Sequence, residues 1–338
     1  MAMTRIYLIR HAEAEGNLCR RMHGQYDSNL TPLGLLQVKA LKKRFESIHV
    51  DACYSSDLTR AENTALAVSI PNGLEFRVDP GFREVCIGKW EDVPFGYLNT
   101  FHGLKMTQFG RDPVNWVVDG SETHRQYTSR FLQSLEAAAL RHQGGTIAVV
   151  THSVIMKNVL HVLFPEVKIP RSANTAVSCL LYENGAYKIE FLCDSSHLDD
   201  ELRTNAKQKW WQQYGAQGDD MFWYREGAAD VEGLCAVASP IVYTVLEDLR
   251  PVGLICLSVR EDIGYLDYMG LMEEYRGYGL GVQLLGQAIS VMRKKGLSCL
   301  KMDPGSSAAM HSLSATLGFS VDEQGLLSLK LPVSISPI

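Results

Sequence analysis

Two uninterrupted apolar runs, "RIYLIR" from Arg5 and "TIAVVTHS" from Thr146, constrain this chain more than any other feature. A strand without polar alternation is buried on both faces, and helices covering both sides of a mostly parallel sheet provide that burial. The segments between the runs supply the helices. "TPLGLLQVKALKKRFESI" opens with a capping threonine, Thr31, and a proline at the first helical position. "DACYSS" is a second short strand, followed by a helix from about Leu58. "HRQYTSRFLQSLEAAALRH" predicts a long amphipathic helix ending at Gly144-Gly145, and "VIMKNVLHVLF" a helix after the third strand. "TAVSCLLY" and "YKIEFLC" flank Glu183-Asn184-Gly185-Ala186 and read as a hairpin. The alternation predicts an α/β unit through Leu198.

The 338 residues exceed what one core normally serves, so two domains are expected, residues 1–198 and 199–338. "DDELRTNAKQK" reads as a polar linker or an exposed helix start. "WWQQYGAQGDDMFWY" then gathers three of the five tryptophans, which suit cover for a small core or a domain interface better than the wall of a ligand site. "PIVYTVLED", "PVGLICLSV" and "IGYLDYMGL" are three successive strands, followed by a helix from about Gly279, a short strand, a second helix and a final β pair.

Composition excludes several function classes. A net charge of −5 with no basic block beyond pieces such as Arg293-Lys294-Lys295 gives no footprint for nucleic acid. No apolar run reaches the length of a membrane span, and no signal-peptide core opens the chain. The 8 cysteines are widely spaced and mostly within apolar stretches, as buried thiols of a reducing cytoplasm would be.

In a parallel α/β sheet, ligands bind at the carboxyl ends of the strands. The first strand delivers Arg10 and His11 there, with Asn17 beyond; "YSSDLTRAENTA" brings Arg60, and "VVTHS" brings His152. Two guanidinium forks suit the oxygens of a phosphate, and no cysteine or carboxylate cluster suggests a metal in their place. A neutral histidine beside bound phosphate can attack phosphorus and form a phosphohistidine. The leaving alkoxide needs a proton, and Glu84 in "FREVCIGKWED" sits in an apolar stretch where a carboxyl can keep one near neutral pH.

"LIRHAEAEGN", "LTPLGLLQVKAL", "YSSDLTRAENTA", "FREVCIGKWED", "DGSE" and "VVTHS" occur in this order, with a closing "SSHL". The set resembles the histidine phosphatase (phosphoglycerate mutase-like) superfamily over about residues 1 to 198. The resemblance implies a three-layer α/β/α sandwich with His11 as nucleophile. Arg10, Arg60 and His152 would bind the transferred phosphoryl group, Asn17 would be a further contact, and Glu84 the proton donor, with no metal required. Ala12 and Ser153 stand where the family usually has glycine after each histidine, and Asp92 where "WEG" has glycine; all three are expected near the pocket, Ser153 as a substrate contact. Residues 93 to 116, with Phe95, Tyr97, Phe101, His102 and Phe109, are expected to form a lid.

In the second half, Arg276-Gly277-Tyr278-Gly279-Leu280-Gly281 lies between a strand and a helix, where glycines let backbone N–H groups turn toward an anion. This R-x-x-G-x-G spacing, with "PVGLICL" before it and "AAMHSLSATLGFSV" after, resembles a GNAT-type N-acetyltransferase of mixed α/β fold over about residues 203 to 331. The resemblance implies acetyl-CoA as cofactor, its pyrophosphate cradled by Arg276, Gly277, Gly279 and Gly281 and its pantetheine along the backbone of Leu271 and Met272. Ser307 and Ser314 occupy the places of the family's asparagine and tyrosine, so its usual general acid is missing; Asp267 or Tyr268 could serve as acid or base.

The expectation is a bifunctional cytoplasmic enzyme: a metal-independent phosphatase for a small phosphomonoester, joined to an N-acetyltransferase with an unidentified amine acceptor, and no nucleic-acid or membrane partner. The compact first domain favours hydrolysis over mutase chemistry. A phosphoglycerate-type mutase, or a phosphatase carrying a catalytically silent acyl-CoA-binding module, are the alternatives.

Overall fold

A computed structural model describes residues 2–204, 222–234 and 237–334. Its first sheet has six strands in the order β3-β2-β4-β1-β5-β6. Chain order runs β1 (Thr4–Arg10), α1 (Glu15–Cys19), α2 (Pro32–Phe45), β2 (Ala52–Ser55), α3 (Thr59–Ser69) and β3 (Arg77–Val78), then α4 (Phe95–Arg111), α5 (His124–Arg141), β4 (Thr146–Thr151), α6 (Ser153–Leu163), β5 (Val177–Glu183) and β6 (Ala186–Asp194). β1, β2, β3 and β4 are parallel, and the hairpin β5–β6 adds two antiparallel strands, turning through Asn184 and Gly185 with φ 53° and 80°.

Pleating sorts the side chains of β1. Ile6 and Leu8 join one core with Trp90, Phe131 and Ile155; Tyr7 and Ile9 join the other with Val38, Leu41 and Ala61. Cover on both faces is why β1 and β4 carry no polar alternation. α2 starts as expected, with Thr31 Oγ1 accepting from Gly34 N at 3.0 Å and Pro32 as its first residue.

The expected lid is largely the helix α4, kinked at His102. Its aromatic residues divide. Phe95 and Phe109 line the cavity described below, whereas Tyr97 and Phe101 pack edge-on against Trp223 of the second half. That contact places Trp223 at the domain interface; Trp210 and Trp211 lie outside the described residues.

The second sheet orders β7 (Phe222–Glu226), β8 (Ile241–Glu247), β9 (Arg250–Arg260) and β10 (Ile263–Leu271), then β11 (Cys299–Met302), with β12 (Ser320–Val321) and β13 (Leu327–Lys330) at the other edge. α7 (Gly281–Lys294) and α8 (Ala308–Ala315) pack with it. β10 runs parallel to β11 only from Ile263 to Leu266, but stays paired with β9 to Leu271, with a register shift at Asp267. Beyond Leu266 the edge of β10 facing β11 has therefore lost its strand neighbour.

α7 also forms the domain interface, lying against α1. A Cβ on Gly286 would come within 2.4 Å of Cys19 Cβ, so the absence of a side chain there lets the two helices approach closely.

Candidate active site

β1 and β4 end side by side, and the chain leaving them points His11 and His152 at one another, with ring centroids 5.1 Å apart. Arg10, Asn17, Arg60, Glu84 and Ser153 join His11 around a cavity of roughly 190 Å³. The structure thus brings Arg10, His11, Asn17, Arg60, Glu84 and Ser153 to one cavity, with the His152 ring beside that of His11.

The hydrogen bonding of this cluster is incomplete in a patterned way. Arg60 is fully buried, and its Nη1 and Nη2 donate to Tyr26 O at 2.9 Å and Gly24 O at 2.7 Å. Arg10 Nη1 donates to Ser172 O at 2.6 Å. His152 Nε2 meets Ser56 Oγ at 2.9 Å. Yet Arg10 Nε, Arg60 Nε and His152 Nδ1 are buried without a partner among the described residues. Buried polar atoms are ordinarily satisfied, so three nitrogens left open in the cluster beside this cavity are chemically suited to an oxyanion.

His11 is prepared differently. Its Nδ1 lies 2.7 Å from the carbonyl oxygen of Ala12, which fixes the proton on Nδ1 and leaves the lone pair on Nε2. Burial, then the charges of Arg60 and Arg10, hold its pKa well below the ordinary histidine value. His152 is lowered too, by burial first and Arg60 next. Burial lowers Arg10 to about 10.

Glu84 departs from expectation. Its carboxyl is buried but held by backbone amides: Oε1 accepts from Val85 N and Ile155 N at 3.0 and 2.8 Å, and Oε2 from Val154 N at 3.1 Å. The carboxyl sits at the N-terminus of α6, where amides point outward. Arg130, paired with Glu122 of "DGSE", also donates to Glu84 O and Arg83 O and so braces this loop from behind.

Sequence reasoning missed the segment after α1. Arg20, Arg21, Met22, His23 and Gly24 line the cavity. His23 Nε2 accepts from Gly16 N at 2.8 Å, and burial followed by the Arg60 charge lowers its pKa well below ordinary. Nothing local in "CRRMHGQ" separates these residues from surface charge. A neighbouring groove of roughly 700 Å³, sharing Arg10, is lined by Arg111, Lys157 and Arg171 with no carboxylate among its lining residues.

Asp92 does not face the cavity as expected. It is 4% exposed, adopts a left-handed backbone with φ 57°, and binds Arg21 Nε at 2.6 Å and Lys294 Nζ at 2.7 Å. Ala12 is buried, with its amide donating to Thr64 Oγ1 at 3.0 Å.

The second candidate site is open. Gly277 and Gly279 have φ 83° and 85°, conformations that L side chains rarely adopt, and a Cβ at either would meet nothing within 4 Å. Backbone N–H groups in this turn, ahead of α7 at Gly281, suit a pyrophosphate. Arg276 is exposed, with Nε donating to Leu271 O at 2.7 Å. Leu271 and Met272 are less available than expected: that carbonyl is taken, and Met272 N donates to Val252 O at 2.9 Å. Ser307 caps α8 through Met310 N, and Ser314 is buried with Oγ on His311 O, so neither replaces the missing acid. Asp267 is exposed and held by Ser239 and Ser258 at 2.6 and 2.9 Å.

The histidine phosphatase superfamily (branch 1) model matches residues 6–195, and the acetyltransferase (GNAT) family model matches residues 203–319. A metal-independent phosphoserine phosphatase of Arabidopsis thaliana is 27% identical over 206 residues, 58% of this chain and 84% of the relative. Phosphoserine phosphatase 1 of Hydrogenobacter thermophilus is 29% identical over 155 residues, 46% of this chain and 74% of the relative. The solved structure of YhfR from Bacillus stearothermophilus superposes with a TM-score of 0.55 at 27% identity, covering 58% of this chain and all of that one.

Proposed function

The chain belongs to the histidine phosphatase superfamily, and from that premise we propose that residues 1–198 hydrolyse a phosphomonoester through a phosphohistidine on His11. The observation that carries this reading is the trio of unpartnered buried nitrogens, Arg10 Nε, Arg60 Nε and His152 Nδ1, around a neutral histidine with Nε2 free. Arg10, Arg60 and His152 bind the transferred phosphoryl group, with Asn17 and Ser153 as further contacts. His11 Nε2 attacks phosphorus, the P–O bond to the alcohol breaks, and the departing oxygen takes a proton from the Glu84 carboxyl. Oε2 is the oxygen for this role, because it carries one amide where Oε1 carries two. Water then gives a proton to Glu84 as it attacks the phosphohistidine; the P–N bond breaks and phosphate leaves.

The cationic groove of Arg111, Lys157 and Arg171 favours a leaving group with its own negative charge, as in phosphoserine, the substrate named for the two relatives. The test is phosphate release from phosphoserine, 3-phosphoglycerate and p-nitrophenyl phosphate with chelator present. His11→Ala is expected to remove at least about 10⁴-fold of the rate. Activity retained in a folded His11→Ala protein would refute the mechanism.

For residues 199–338 we infer acetyl-CoA binding, with Arg276, Gly277, Gly279 and Gly281 at the pyrophosphate and the freed edge of β10 along the pantetheine. Bound acetyl-CoA would supply an activated thioester for transfer to an amine. Calorimetric titration with acetyl-CoA, followed by coenzyme A release over an amine panel, separates a transferase from a binding module.

A further inference from the structure

Between the two domains lies a buried polar cluster with no role in the chemistry above. Arg21 is its centre. Nε donates to Asp92 Oδ1 at 2.6 Å, Nη1 to Gln287 Oε1 at 2.9 Å, and Nη2 to Ser290 Oγ at 3.1 Å as well as to Asp92 O. Ser290 Oγ donates in turn to Asp92 Oδ2, and Lys294 Nζ reaches the same carboxylate. One turn away, Arg293 Nη1 and Nη2 clamp Glu15 of α1 at 2.7 and 3.0 Å. Gln287, Ser290, Arg293 and Lys294 all belong to α7, the helix that begins at the glycine turn.

The segment this cluster fixes is a wall of the phosphate cavity. Arg21 N is tied to Gly16 O, and Met22 N and O are bonded to Val93 O and Asp92 N. Three residues further on, Gly24 O and Tyr26 O receive the two Nη groups of Arg60, and Gln25 Nε2 donates to Glu84 O at 3.0 Å. Hydrogen bonds from α7 thus fix Arg21 and Met22 through Asp92, and the short backbone stretch that follows carries the groups that hold Arg60 and Glu84. Position 92 reinforces the point. A left-handed backbone is uncommon at a residue other than glycine, and here the side chain is held by buried ion pairs to Arg21 and Lys294.

We infer that α7 of the acetyltransferase-type domain is a working part of the phosphate site, with Arg21 and Asp92 as positioning residues that hold Arg60 in register. The inference rests on the phosphatase reading for its kinetic arm, and on oxyanion binding alone for its second arm. The test uses the full chain and two changes that avoid the reacting groups. Asp92→Gly suits φ 57° without strain, and Gln287→Ala/Ser290→Ala alters only the second domain. Orthovanadate affinity is measured by calorimetry, and kcat and KM with phosphoserine, after the far-ultraviolet circular dichroism and cooperative melting of each variant are confirmed. Both variants are expected to weaken vanadate binding and lower kcat/KM about tenfold, while Gln287→Glu, which keeps an acceptor for Arg21, stays within about threefold of wild type. Folded variants with unchanged vanadate affinity would overturn the inference, even if the wild type hydrolyses phosphoserine. Weakened vanadate binding in a protein that releases no phosphate from any ester would sustain it and refute the phosphatase reading instead.

Discussion

The two candidate sites meet their anions in opposite ways. At the first, Arg60 is buried and Arg10 half-buried, their backbone-facing donors are already bonded, and both line a small cavity. At the second, Arg276 is exposed, the glycines have open space around them, and binding falls to the backbone of a turn. A buried guanidinium without solvent to screen it binds strongly and tolerates no displacement; an exposed one contributes modestly and is replaceable. Burial therefore teaches where a substitution will be felt.

The sharpest way to break this contrast is to change arginine to lysine at both sites. Arg60→Lys loses a fork fixed by two carbonyls and is expected to lower kcat/KM by about 10² to 10³. Arg276→Lys keeps the charge on an exposed side chain and should change the acetyl-CoA Kd less than about tenfold. Equal losses would mean that burial is not what separates the sites.

Acid titration comes next. His11, His23 and His152 are each held neutral in the folded chain, with pKa values well below the ordinary 6.5, burial being the first cause for all three. Below about pH 6.5 the unfolded chain binds protons that the folded chain does not. Stability is therefore full above the ordinary value and is lost as pH falls from it toward the folded values, by up to about 1.4 kcal/mol per pH unit for each histidine. Thermal melts between pH 7 and pH 5 should show the midpoint descending; a flat profile would contradict the neutral, closed first site.

Smaller effects sharpen the second site. Gly279→Ala forces a Cβ onto φ 85°, which should cost on the order of 1 kcal/mol and weaken acetyl-CoA binding severalfold, leaving vanadate affinity unchanged. Ser314→Ala should alter any acetyl transfer by less than about twofold, because its hydroxyl is spent on His311 O. A large loss would return Ser314 to the chemistry.

How much of this could be read from the chain depends on the distance over which each feature is decided. β1, β4, α2 and the Asn184–Gly185 hairpin follow from short patterns, and the Arg10–His11 pair from its place at the end of one strand. The amides around Glu84 were not legible, because Val154 and Ile155 reach it across 70 and 71 residues. His23 and Arg21 were not either: their surroundings are set by how α1 meets segments that the local sequence does not name. The placement of Asp92 near the cavity failed for the same reason. Its position looked like a pocket position until α7 arrived from 198 residues away.

The cluster at Asp92 also bears on how separable the two halves are. Residue 92 carries a carboxylate shared between Arg21 of its own domain and Ser290 and Lys294 of the other. The first domain alone would keep Arg21 on Asp92 but lose Ser290 and Lys294, and the second domain alone would leave Gln287 and Ser290 without Arg21. A change at residue 92 is therefore felt at residues 290 and 294 of the other half.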